Sequence, residues 1–183
     1  MATRDFSGEY FRFGTQYYVS GRVATALGLL PVPGNLFHHA IELFLKGDLC
    51  RALSAAELKD FHHNLKCLWT AFKHKHKDPA LATFDARIKA LHKFEAIRYP
   101  DRIATKGMYA TISVGRWDRQ PAVFPGGHTP PGYHLVVQDI DELVGVIFKK
   151  ASMNPAFFFG SLTSDARSAL CRDNATFGPG AVT

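Results

Sequence analysis

The chain is poor in the features that would place it in a membrane or build it around disulfides. Cysteine occurs three times, at Cys50, Cys67 and Cys171, and no two stand in a CxxC or related metal spacing. A sparse, odd count predicts reduced thiols and a cytoplasmic protein. No apolar run approaches the roughly 20 residues that span a bilayer. The opening MATRDFSGEYF has no apolar stretch before a small-residue cleavage site, so no signal peptide is expected. Internal repeats, low-complexity tracts and a phosphate-cradling glycine loop are also missing. Gly126-Gly127, among Pro125, Pro130 and Pro131, reads as a flexible hairpin tip. No serine or cysteine stands beside a histidine in a pattern that suggests a nucleophile.

What is present suits one domain. The 183 residues are 46% hydrophobic and 21% charged, enough for a single core under an ordinary polar surface. The 15 phenylalanines predict a core rich in rings. A net charge of +6 permits contact with a polyanion without requiring it.

The pattern changes near Pro100. Residues 1–100 carry helical periodicity; residues 101–183 hold more glycine, proline and strand-like alternation, and are expected to pack on the first part as an extension of the same domain. A first helix is predicted over about Glu9–Leu27, with Phe13, Tyr17, Ser20, Ala24 and Leu27 on one face. A second starts near Asn35 as N-cap, and its apolar residues Leu36, Phe37, Ala40, Ile41, Leu43, Phe44 and Leu45 cover so much of its surface that it should be central. Ser54-Ala55-Ala56-Glu57 is a capping box that opens a third helix, with Leu58, Phe61, Leu65, Leu68, Trp69 and Phe72 facing the core. Periodicity leaves open whether this helix is continuous, which would turn His63 away from the core, or breaks near Phe61–Asn64. Asp78-Pro79 opens a fourth helix, with a stripe of Leu81, Phe84, Ile88 and Leu91, ending before Pro100. Strands are expected at Met108–Val114 and Tyr133–Val137, pairing as a hairpin across a loop at 115–132. A short amphipathic helix follows, N-capped by Asp139, with Ile140, Leu143, Val144, Ile147, Phe148 and Ala151 on one face. Phe157-Phe158-Phe159 should dock on the bundle, and the polar tail should be loose.

Two polar groups stand out. On the second helix, His38, His39, Glu42 and Lys46 fall within a sector of about 100°. Glu42 paired with Lys46 and one histidine would make a structural seam, since buried charges need partners. Joined by His63 and Lys66, the same strip would make a nucleotide or phosphate pocket. The run Lys73-His74-Lys75-His76-Lys77 suits a helix C-terminus; with Arg87, Lys89 and Lys93 it would also suit an RNA backbone. Nine histidines raise the question of metal, but helical di-metal sites use several inward carboxylates with Glu-x-x-His, which is missing, so no metal or other cofactor is expected.

Asn35-Leu36-Phe37-His38-His39-Ala40-Ile41-Glu42-Leu43-Phe44-Leu45-Lys46-Gly47, followed by His63-Asn64-Leu65-Lys66-Cys67-Leu68-Trp69, resembles the HEPN domain family, whose pattern is an HHAIE-x-x-LK helix and then an H-[ND]-L-x-x-L helix start. The resemblance covers roughly residues 9–99. It implies a mainly α fold, an up-down four-helix bundle, here with a hairpin and short helix appended, that often dimerises. Many members cut RNA without metal; others bind nucleotides, RNA or a protein partner without catalysis. The catalytic members carry R-x(4–6)-H, which Arg87 and His92 match in spacing. Ile88 stands where a polar residue is expected, and a five-residue step turns the two side chains about 140° apart in a straight helix. The leading expectation is therefore a non-catalytic homodimer that binds RNA, a nucleotide or a protein. The alternatives are a metal-independent ribonuclease using Arg87 and His92, and a purely structural or oligomerising protein.

Overall fold

A computed structural model describes residues 5–99, 101, 111–115 and 132–178, with backbone only for 111–115. The molecule is mainly helical. In chain order it has α1 (Ser7–Ala26), α2 (Val32–Leu49), α3 (Ala55–Asp60), α4 (Leu65–His76), a 3-10 segment at Pro79–Phe84, α5 (Asp85–Lys93) and a 3-10 turn at Phe94–Ile97. Then follow β1 (Thr111–Gly115), β2 (Gly132–Val136), α6 (Val137–Lys150), α7 (Pro155–Phe159) and α8 (Ser164–Cys171). No helix among the described residues is long and apolar enough to cross a membrane.

Helix α2 is central, as its composition requires. It packs against α1, α4, α5 and α6, and Phe37, Ala40, Ile41, Phe44 and Leu45 are all fully buried. From α4, Leu65, Leu68, Trp69 and Phe72 complete the same core. Helices α1 and α2 run antiparallel at close range. The ring of Phe44 lies against Gly14, that of Phe37 against Gly21, and that of Phe11 against Gly47. In each pair the residue on α2 falls as the one on α1 rises, which is the mark of opposed directions.

These ring-on-glycine contacts correct the predicted face of α1. Phe13, Ser20 and Leu27 are exposed and Tyr17 is half-buried, while Ala24 is buried as expected, on a face with Phe11, Gly14, Thr15, Tyr18, Val19, Gly21 and Arg22. Hydropathy favours large apolar residues, but this crossing selects positions with no side chain. The second helix also starts earlier than Asn35: cis-Pro31 sits at its N-cap and Pro33 lies in its first turn.

The chain breaks between α3 and α4. Ser54 and Glu57 form the expected capping box. His62 adopts a left-handed conformation, φ 47°, and Asn64 accepts a hydrogen bond from the Cys67 N–H to start α4. The fourth expected helix is divided: Asp78 caps a 3-10 segment by accepting from the Ala80 N–H, and the α-helix begins at Asp85.

The two strands pair in parallel, Thr111 opposite Gly132 through Gly115 opposite Val136, not as a hairpin. Sixteen residues, 116–131, separate them; they lie outside the described residues, as do 108–110 of the predicted first strand and the proposed hairpin tip. A connection of that length permits the return that parallel pairing needs, whereas only a tight turn enforces antiparallel pairing. Val137 opens α6 rather than ending β2, so Asp139 lies in the first turn of the helix instead of capping it.

The C-terminal tail is not loose as far as Gly178. Phe158, Phe159 and Phe177 are buried, with Phe159 and Phe177 in edge contact at 5.0 Å, while Phe157 is exposed. Asn174 is buried too, and its Oδ1 accepts from the backbone N–H groups of Thr176 and Phe177.

Candidate functional site

Helix α2 carries His38, His39, Glu42 and Lys46, but the fold divides this strip in two. His39, Glu42 and Lys46 face the α3–α4 joint, and His38 faces α5.

At the joint, Glu42 is the centre. Its side chain is buried, and one oxygen accepts from the Lys46 ammonium at 2.8 Å. The other lies 3.0 Å from His63 Nδ1 and 3.6 Å from His39 Nδ1. Lys46 also donates to the backbone carbonyl of His62 at 3.0 Å, tying α2 to the joint. Burial by itself would raise the Glu42 carboxyl; contacts from His39, Lys46 and His63 outweigh it and hold the pKa at about 2. The seam expected between Glu42, Lys46 and a histidine is thus formed, and the break before Asn64 is what delivers His63 to it.

On the other side, His38 is 3% exposed. Burial pushes its pKa down to about 4, an effect that Glu42 opposes and the neighbouring histidines reinforce. Its ring stacks on that of His92 from α5, centroids 6.1 Å apart. His38 Nε2 and His92 Nδ1 are both buried with no hydrogen-bond partner among the described residues. His92 is also shifted down, first by burial and then by the charge of Lys66, which projects from the first turn of α4. Tyr17, Asn35, Leu36, His38, His39, Glu95 and Arg98 line a small cleft beside these rings.

Within one chain, the Arg87 and His92 pair suggested by spacing is not brought together. Arg87 points to α6, where it donates to Glu142 at 2.6 Å and lies 3.1 Å from Asp139, with its guanidinium over the Phe84 ring. His92 faces α2. The rotation expected of a five-residue helical step separates them.

Of the lysines considered for nucleic acid, Lys73 pairs with Asp85 at 2.7 Å and Lys75 with buried Asp48 at 2.9 Å, so both are bound internally. Lys77, Lys89 and Lys93 are exposed. His76 holds the second oxygen of Asp48 at 2.9 Å, completing a structural ion cluster.

A larger buried network was not expected from the sequence. Arg22 donates to both carboxylate oxygens of Asp141, and the Tyr18 hydroxyl donates to the same carboxylate at 2.5 Å. Arg22 also donates to the carbonyls of Ala169 and Arg172, and the Asn174 amide donates to the Tyr18 oxygen at 3.1 Å. Its signal was legible: Asp141 lies at i−3 to Val144 and i−7 to Phe148 on the apolar stripe, and Arg22 lies one turn from Tyr18. Two opposite charges on apolar faces need each other.

His39, Glu42 and His63 were expected to share one polar strip, but as a seam or phosphate pocket and not as a set of metal ligands. Their candidate ligand atoms all lie within 4.8 Å of one another. The order on α2 is His-x-x-Glu, the reverse of the pattern sought, and the third group comes from a different element. No family model, no curated protein and no solved structure matches the chain.

Proposed function

We propose that the chain is a non-catalytic HEPN-like module that binds the phosphate of RNA or a nucleotide beside the stacked His38 and His92 rings, where α2, the start of α4 and α5 meet. The observation that carries this reading is the pair of buried, unpartnered nitrogens on His38 and His92. Buried polar atoms in folded proteins are satisfied by some partner, and a phosphate oxygen suits each ring in the tautomer that carries its hydrogen on that nitrogen. Lys66 supplies positive charge beside them, and exposed Lys89 and Lys93 extend it along α5. The engagement of Arg87 with Asp139 and Glu142 supports binding without cleavage over the ribonuclease reading. An apolar corner of Leu27, Leu29, Leu30 and Val32, each at least 45% exposed, supports a homodimer. The three free cysteines support a reducing, cytoplasmic setting.

The test is fluorescence anisotropy with a labelled single-stranded RNA and, separately, with a labelled adenosine nucleotide. Lys66→Ala should weaken whichever ligand binds by about tenfold, in line with the loss of one charge-assisted contact. RNA binding should also lose about one unit of salt slope for each phosphate contact removed. Wild-type protein that binds neither ligand at low salt sinks the reading. RNA cleavage in chelator that disappears in His92→Ala would transfer the assignment to a ribonuclease.

A further inference from the structure

We propose that His39, Glu42 and His63 form a binding site for one divalent transition-metal ion of zinc-like chemistry. This goes beyond phosphate binding and stands on separate atoms. The donor set is two imidazole nitrogens and one carboxylate oxygen. Late first-row ions take such a mixed set, whereas magnesium and calcium require oxygen donors almost throughout.

The two separations that involve Glu42 suit edges of a tetrahedron, and the third lies within 4.8 Å. Zinc bonds of about 2.0 Å to nitrogen and oxygen place neighbouring ligand atoms about 3.3 Å apart. The Glu42 oxygen is 3.0 Å from His63 Nδ1 and 3.6 Å from His39 Nδ1, on either side of that value. Glu42 is a buried residue rather than a surface acid, 2% exposed. Its second oxygen is held by Lys46, so the carboxylate is oriented and the free oxygen faces the two rings. Such outer hydrogen bonds are how proteins aim their metal ligands. The His63 side chain is 49% exposed and that of His39 30% exposed, which leaves the fourth coordination position open to solvent.

Protons balance without a co-reactant. Glu42 is ionised and only accepts, so at 3.0 Å the His63 Nδ1 carries the hydrogen in the metal-free state. On ligation that proton passes through solvent to Nε2, and the neutral ring offers its Nδ1 lone pair. His39 presents Nδ1 in the same way. The Lys46 charge opposes the cation across the carboxylate and limits affinity without removing a ligand.

Isothermal titration of chelator-stripped protein with zinc chloride, free of phosphate and nucleotide, tests the site, with cobalt(II) absorption as a second readout. Wild type should bind one ion per chain and give the visible band of four-coordinate cobalt. His63→Ala should weaken zinc binding by about tenfold or more. His39→Ala should do the same. The metal-free melting temperature of each variant shows that it is folded. Absence of stoichiometric zinc binding in wild type, or unchanged affinity in both folded variants, overturns the proposal. Because no phosphate ligand is present, the outcome is independent of the RNA and nucleotide assays.

Discussion

At the scale of single residues, His38 has the clearest consequence. Its imidazole titrates near 6.5 in an unfolded chain and at about 4 in the fold, because burial excludes the charged form. Between those values the unfolded state binds a proton that the native state refuses. Stability from this group is therefore complete above pH 6.5 and is lost as pH falls through about 4. Urea midpoints measured across that window should fall with pH, and His38→Gln should flatten the fall. An equal slope in the variant would show that other groups carry it. The strip on α2 was legible because four residues on one helix obey one period. That His63 could join it was legible, but the left-handed turn at His62 that brings it there was not, and neither was the approach of His92, which the rotation of α5 sets. Neither appears in local periodicity.

At the scale of elements, the α1–α2 crossing rests on glycine. A Cβ added at Gly21 would meet the Phe37 ring at 2.7 Å. Alanine in a helix interior normally gains about 1 kcal/mol over glycine. Gly21→Ala should instead cost about 1–3 kcal/mol, because the ring must leave its place in a filled core. Gly8→Ala, with nothing within 4 Å of the new carbon, is the control and should not destabilise. Chemical denaturation of both variants checks the contrast. The capping box at Ser54, the Asp78-Pro79 start and the apolar face of α6 were readable because each is a local device. The face of α1 was not, because its reason lies in the rings of α2. The direction of the β1–β2 pair was not either, because both faces of two five-residue strands look the same in either pairing.

At the scale of the whole molecule, the Tyr18–Arg22–Asp141–Asn174 network joins α1, α6 and the C-terminal segment. Removing one member of a buried ion pair leaves an uncompensated charge. Asp141→Ala should cost about 3–5 kcal/mol. Replacing both charges, as in Arg22→Met with Asp141→Leu, should restore much of that, since the desolvation penalty of both ions goes with them. A double variant as unstable as the single one would show that the hydrogen bonds to Ala169 and Arg172, not the pairing, dominate. The helical class and the central place of α2 could be read from composition. The firm attachment of the tail could not, because the contacts that tie Asn174 and Phe177 to α1 are made with Tyr18, more than a hundred and fifty positions earlier.

That sequence separation also orders assembly. Helices α1 and α2 are neighbours along the chain and can form their hairpin soon after synthesis, for closing a short loop takes far less than a microsecond. Arg22 then waits on the surface of that hairpin with no acid to meet until residue 141 has left the ribosome, and Tyr18 waits longer for Asn174. For most of its birth the nascent protein therefore presents a solvated arginine where the finished one has an interior, and the last contacts to close are those that seal it.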